Sequence, residues 1–295
     1  MSTADTPLED LRREIDEIDT ALHDLLMRRS DLAARIGALK NGADGGTGSF
    51  LRPSREASIL RRLIARHDGK LPAAVLVKIW RELMSALVRL QGPFGVAVYV
   101  SEQQPGYWDL ARDHFGSYTP ITTHDSPGQV LSLVIEGQAT VGVLPVPQQD
   151  DRDPWWRFLL RRDAPRIIAR LPFGDGGTQL GPSVEALAVG RVPVEETGRD
   201  RSYFAIETSA EISRSALLSA LTAASLEVAL LHAWHDPADS GTWLHLVELE
   251  GFVRPDDPRL DRIGTRRTEI VRQIWPLGGY AIPFSRAELG LADKS

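Results

Sequence analysis

The sequence predicts a multidomain chain of mixed class, with an all-helical N-terminal segment followed by an α/β segment and an α+β segment. Three observations carry this expectation. Residues 8–91 contain one interior proline, Pro53, before Pro72, and their apolar residues recur at helical spacing. Beyond Gly92-Pro93 the texture changes to short apolar runs alternating with helical stretches. A second cluster of glycine and proline, 171–182, separates that region from another strand and helix alternation reaching about Phe284. The expected domains are therefore 1–91, 92–199 and 200–295, in keeping with 295 residues.

The first element is the sharpest. Leu11, Ile15, Ile18, Leu22, Leu25, Arg29, Leu32, Ile36 and Leu39 alternate four and three apart, the seam of a long helix packed as in a coiled coil, with one seam position an arginine. A helix of this kind extends roughly 45 Å, longer than a small globule is wide, so it calls for a second copy of the chain to cover it. On the same reasoning residues 1–92 are expected to form a dimer by themselves. The glycine-rich stretch 41–49 breaks the helix, and a second helix starts at Pro53 with Ser54 as its cap. Glu56 lies on or beside its inward stripe. The third helix starts at Pro72 and runs through Leu76, Ile79, Leu83, Leu87 and Leu90, with Gln91 one turn past Leu87.

Composition removes several classes of function. With 34 basic against 40 acidic residues the net charge is −6, so no basic field favours nucleic acid as a partner. The absence of cysteine rules out disulfides, thiolate metal sites and a cysteine nucleophile. The acidic start lacks the order of a signal peptide, and the most membrane-like stretch, 215–234, is too polar for a span; a cytoplasmic protein without a membrane partner is expected. His232, His235 and His245 are weak metal candidates, since residues three apart on a strand point to opposite faces.

What remains is a helical core that admits Arg29 and is flanked by Arg12, Lys40, Arg55, Glu56 and Gln91. Burying charge without a partner costs several kcal/mol, so the cluster suits a compact anion bearing several oxygens. Taken singly, Arg12 and Arg55 also read as solvated surface and Arg29 as half of an interfacial ion pair.

The string Leu11-Arg12, Ile15-Asp16, Ile18-Asp19, Arg28-Arg29, Leu32-Ala33, Ile36-Gly37, Lys40, then Arg55-Glu56 and Trp80-Arg81-Glu82-Leu83-Met84-Ser85-Ala86 to Gln91, resembles the all-helical chorismate mutase domain of bifunctional mutase–dehydratases. The resemblance implies a three-helix fold paired as an intertwined homodimer, chorismate as substrate, and no cofactor or metal. It places substrate arginines at Arg12, supplied by the other subunit, and Arg29; ether-oxygen contacts at Lys40 and Gln91; and a hydroxyl contact at Glu56 with Arg55 beside it. Arg29, Lys40 and Gln91 are the catalytic set so implied. Arg52 replaces an aspartate of some members, Leu87 replaces a small hydroxyl residue, and the link from 41 to 51 is longer.

Residues 94–172 resemble one lobe of a prephenate dehydratase, a truncated α/β periplasmic-binding-like lobe, chiefly through Asp125-Ser126 and Gly142-Val143-Leu144-Pro145. The second lobe is absent, and Ser202-Tyr203-Phe204 stands where the family has Thr-Arg-Phe, so the segment is expected to be a scaffold. Residues 203–284 resemble an ACT-like, ferredoxin-like domain, with strands at 203–208, 227–234, 243–252 and 279–283 and helices at 213–224 and 258–273. Leu231 to His235 keeps none of the family's phenylalanine-binding stretch. Two other functions stay open: a regulatory, metabolite-sensing protein whose mutase domain only dimerises, and a bifunctional enzyme with weak dehydratase activity.

Overall fold

A computed structural model describes residues 6–43, 50–101, 106–174, 184–238, 241–264 and 271–291. The chain is a helical N-terminus joined to a large mixed sheet. Helix α1 (Thr6–Ala43) is followed by α2 (Pro53–Ala65) and α3 (Ala73–Gln91). At 1.5 Å per residue α1 extends about 57 Å. It runs through the start of the expected glycine-rich break, and 44–49 lie outside the described residues, as do 175–183 of the second glycine and proline cluster.

The seam of α1 is left open along its length. Leu11, Ile15, Ile18, Leu22, Leu25, Leu32, Ile36 and Leu39 are 49–74% exposed. Helix α3 differs from expectation in which side it buries. Val77, Arg81, Met84 and Val88 are buried together with Leu87 of the expected stripe, whereas Ile79 and Leu90 of that stripe are exposed. The helix is apolar on two sides, and the side turned to the rest of the chain is the one covered.

The sheet contains strands β1 (Val96–Tyr99), β2 (Ile121–His124), β3 (Val141–Pro145), β4 (Arg166–Leu171), β5 (Ala186–Gly190), β6 (Asp200–Ser209), β7 (Val228–Trp234), β8 (Thr242–Glu250) and β9 (Val271–Ala281). Helices α4 (Tyr107–Phe115), α5 (Pro127–Ile135), α6 (Arg214–Ala223) and α7 (Pro258–Gly264) cover it. The strand order is β2-β1-β3-β5-β4-β9-β6-β8-β7. β1, β2 and β3 are parallel, β5 runs antiparallel to both of its neighbours β3 and β4, and the pairings among β6 to β9 are antiparallel.

The two segments read separately from the sequence share this one sheet. They meet where β4 pairs with β9 at Ile167 and Gly278. Gly278 has φ +114°, and a Cβ there would stand 2.2 Å from the Ile167 carbonyl oxygen, so glycine is required for the junction. The expected helix 258–273 stops early: α7 ends at Gly264, residues 265–270 are outside those described, and 271–273 already belong to β9. Pairing with β6 from Val271 onward satisfies the backbone of that segment and overrides its helical pattern.

The helical segment is not closed on itself. Ala57, Leu60, Val77 and Met84 share a core with Phe173 and Leu289, while Leu51 and Val88 pack with Phe94 and Phe115. The expectation that 1–92 is self-sufficient therefore meets a core that continues into the sheet. Among the described residues no helix is long and apolar enough to cross a membrane.

Candidate active site

The three N-terminal helices line an open cavity of about 500 Å³, within the size range of small-molecule sites. Helix α1 supplies Arg29, Leu32, Ala33, Ile36 and Lys40, residues three or four apart that share one face. Helix α2 supplies Arg55, Glu56 and Ile59, and α3 supplies Met84, Leu87, Val88 and Gln91. Close approach of α1 and α3 depends on Gly37, whose added Cβ would lie 2.9 Å from the Gln91 Cα. A small residue there brings Lys40 and Gln91 onto the same wall.

Electrostatically the cavity lining carries more cations than anions, with Arg29, Lys40, Arg52 and Arg55 against Glu56. Arg29 is half-buried, and its buried Nη1 has no hydrogen-bond partner among the described residues. Burial, then the charge of nearby Arg55, push its guanidinium pKa down. Two cations that disfavour one another in a partly dry wall are the inverse of a carboxylate. Lys40 lies 5.5 Å from the centroid of the Phe50 ring. The Gln91 side-chain amide donates to the Leu87 carbonyl at 2.9 Å, one turn back. Both departures from the resembled pattern, Arg52 and Leu87, line the same cavity.

Glu56 is the acid of the site and is held from behind. Arg81 Nη1 donates to Glu56 Oε2 at 2.9 Å, and both side chains are largely buried. Burial pushes the Glu56 carboxyl up, and Arg81 opposes the shift. The Arg81 guanidinium in turn lies 4.8 Å from the Phe173 ring centroid of the sheet domain. Sequence reasoning quoted Arg81 without giving it a role. Its spacing with the apolar Val77, Met84 and Val88 puts it on one helical face, but the counter-charge and the surface that cover that face come from elsewhere in the chain.

The structure therefore brings Arg29, Lys40, Arg55, Glu56 and Gln91 around one cavity, and it does not bring Arg12 there. Arg12 is exposed on α1 and ion-paired with Glu9 at 2.7 Å. Seventeen residues of straight helix put it about 25 Å from Arg29. Ser54 does not cap α2: the N-cap is Arg52, without a side-chain cap, and Ser54 Oγ instead accepts the Glu195 backbone N–H at 3.0 Å. The three histidines form no metal cluster among the described residues; His245 Nε2 lies 3.0 Å from Thr208 Oγ1.

Comparison with known proteins bears on the same helices. Residues 11–92 match the family model Chorismate mutase type II. The bifunctional chorismate mutase/prephenate dehydratase of Pseudomonas aeruginosa is 30% identical over 141 residues, 47% of this chain and 38% of that protein. Its counterpart in Neisseria gonorrhoeae is 36% identical over 114 residues, 39% of this chain and 30% of that protein. The chain thus spans well under half the length of these curated relatives. A solved prephenate dehydratase of Streptococcus mutans superposes with a TM-score of 0.45 at 12% identity, over 64% of this chain and 98% of that one.

Proposed function

We propose that this chain, whose residues 11–92 carry a chorismate mutase type II domain, rearranges chorismate to prephenate in the cavity between α1, α2 and α3. The observation that carries the reading is half-buried Arg29, whose Nη1 has no hydrogen-bond partner among the described residues, with the exposed Arg55 guanidinium nearby. A dicarboxylate satisfies both cations.

The reaction is a concerted pericyclic shift: the ether C–O bond breaks while a C–C bond forms, with no proton transferred and no covalent intermediate. The protein needs to fold the enolpyruvyl arm over the ring and stabilise negative charge developing on the ether oxygen. Arg29 forks onto a carboxylate, with Arg55 beside it. Lys40 and Gln91 donate to the ether oxygen; Gln91 exchanges its bond to Leu87 for the substrate. Glu56, kept in place by Arg81, accepts the ring hydroxyl. A millionfold acceleration needs about 8 kcal/mol, within reach of a few such contacts in a dry site. The set calls for no metal or cofactor.

The active unit in this reading is a homodimer. A row of half-exposed leucines and isoleucines along α1, with Ile79 and Leu90 of α3, is the surface a second copy would cover. The partner's α1 would then deliver Arg12 to this chain's cavity, which Arg12 does not reach within its own protomer.

The remainder is read as a partial dehydratase-like lobe over 92–199 and an ACT-like domain over 200–295. Support for the latter is the order β6-α6-β7-β8-α7-β9 with strands arranged β9-β6-β8-β7, a ferredoxin-like topology. The setting proposed is cytoplasmic, and the product is released as prephenate. The test is to follow chorismate loss and then assay the product at neutral pH and after acid treatment. Phenylpyruvate formed only on acid treatment is the expected result, and persistence of chorismate would refute the proposal.

A further inference from the structure

Helix α2 carries Arg55 and Glu56 into the cavity, and its long-range polar ties run to the segment between β5 and β6, 136 to 143 residues further along the chain. On one side of the site-bearing turn, Arg52 Nη2 meets Glu195 Oε1 at 2.5 Å and Ser54 Oγ accepts the Glu195 N–H at 3.0 Å. On the other, Arg61 donates through Nη1 to Thr197 Oγ1 at 2.7 Å and through Nη2 to the carbonyls of Arg199 and Ile282 at 2.8 and 2.9 Å. A longer contact from Nη1 reaches the Thr197 carbonyl at 3.3 Å.

The receiving loop is itself held rigid. Thr197 donates its N–H and its hydroxyl to the buried Asp200 carboxylate at 2.8 and 2.6 Å, and Ile282 N–H donates to the Arg199 carbonyl at 2.8 Å. Arg199 is paired in turn with Glu288. A guanidinium spread over several fixed acceptors sets the rotation and translation of its helix, because its planar fork satisfies them together in one geometry. Hydrophobic packing alone would tolerate a slide along α2. Arg61 lies about 1.4 turns beyond Glu56 on the same short helix, so a slide of α2 moves Arg55 and Glu56 with it.

We infer that the 195–200 loop is a positioning element for the cavity and that Arg61 is its positioning residue, acting through α2 on Arg55 and Glu56. The sheet domain is on this account part of the catalytic apparatus. The kinetic consequence rests on the mutase reading; the mechanical one does not.

The test uses the full chain and its variants Arg61→Ala, Arg61→Lys and Thr197→Val. Without ligand, amide hydrogen exchange at 53–60 is expected to speed up in Arg61→Ala by about tenfold while β1 and β3 are unchanged, as for a local opening. With chorismate, kcat/KM is expected to fall about 10- to 100-fold per folded molecule, the scale of a displacement near 1 Å. Arg61→Lys should recover part of both, and Thr197→Val should shift both in the same direction by less. Exchange and kcat/KM equal to the parent in Arg61→Ala, or faster exchange spread evenly over the chain with kcat/KM unchanged, would overturn the inference. Should Arg61→Ala fail to fold, Thr197→Val decides by the same criteria. A parent chain inert toward chorismate would overturn the functional reading, and the exchange comparison would still decide this one.

Discussion

Arg81→Met isolates the electrostatic support of the site. Met roughly preserves the volume of the Arg stem but leaves the Glu56 carboxylate buried without its 2.9 Å partner. Breaking a buried pair from one side typically costs about 3–5 kcal/mol. Glu56 has an escape, however, which is to take up a proton. With an ordinary glutamate value near 4.3 and about 1.36 kcal/mol per pH unit, holding it protonated costs about 3.7 kcal/mol at pH 7 and about 1 kcal/mol at pH 5. That cost is a ceiling on the ionic part of the penalty. Loss of the stack on Phe173 adds about 0.5–2 kcal/mol that does not vary with pH.

The direction follows from linkage. A carboxyl whose folded pKa is raised contributes stability that is present below its unfolded pKa and lost as pH rises through the folded one. Glu56 is already pushed up by burial, and removing Arg81 pushes it further. Urea unfolding at fixed protein concentration should therefore show Arg81→Met less stable than the parent by up to about 4–6 kcal/mol at pH 7 and up to about 1.5–3 kcal/mol at pH 5. Adding Glu56→Gln should recover most of the pH-dependent part. Equal losses at the two pH values would refute the reasoning.

The remaining predictions are briefer. Arg29→Ala and Lys40→Ala should each lower kcat/KM for chorismate about 100- to 1000-fold in a chain that melts near the parent temperature, measured by loss of chorismate absorbance; unchanged turnover in either removes that residue from the site. Leu25→Glu, at a position 61% exposed on α1, should yield a monomer by light scattering together with loss of turnover, because Arg12 of a second copy no longer reaches the cavity. An active monomer would contradict the paired arrangement. For His245, burial and then Arg214 push the pKa down to about 4, so its contribution to stability is present above about 6.5 and lost as pH falls toward 4, amounting to at most about 3 kcal/mol. His245→Gln should flatten the stability profile over that window, and a slope like the parent's would count against the assignment.

How much was legible beforehand differs between elements for physical reasons. The seam of α1, the start of α2 at Pro53 and the span of α3 follow from local periodicity and proline placement, which act within a few residues of chain. So do Arg29, Lys40, Arg55, Glu56 and Gln91 as a charged and polar set in an apolar helical context. Their convergence on one cavity needed the crossing of α1 and α3 at Gly37, a contact between residues far apart in sequence.

Tertiary structure alone decided three further points. The face of α3 that is buried is the one containing Arg81, because the sheet domain and Glu56 together supply an apolar surface and a counter-charge that no helical period encodes. Ser54 serves Glu195 rather than its own helix, since a hydroxyl takes whichever donor the fold presents. Finally, the two segments that the sequence separates at about residue 200 share one sheet through Ile167 and Gly278. The sequence determines that a glycine stands there, but only the approach of β4 to within a Cβ's reach of β9 makes it the joint of the molecule.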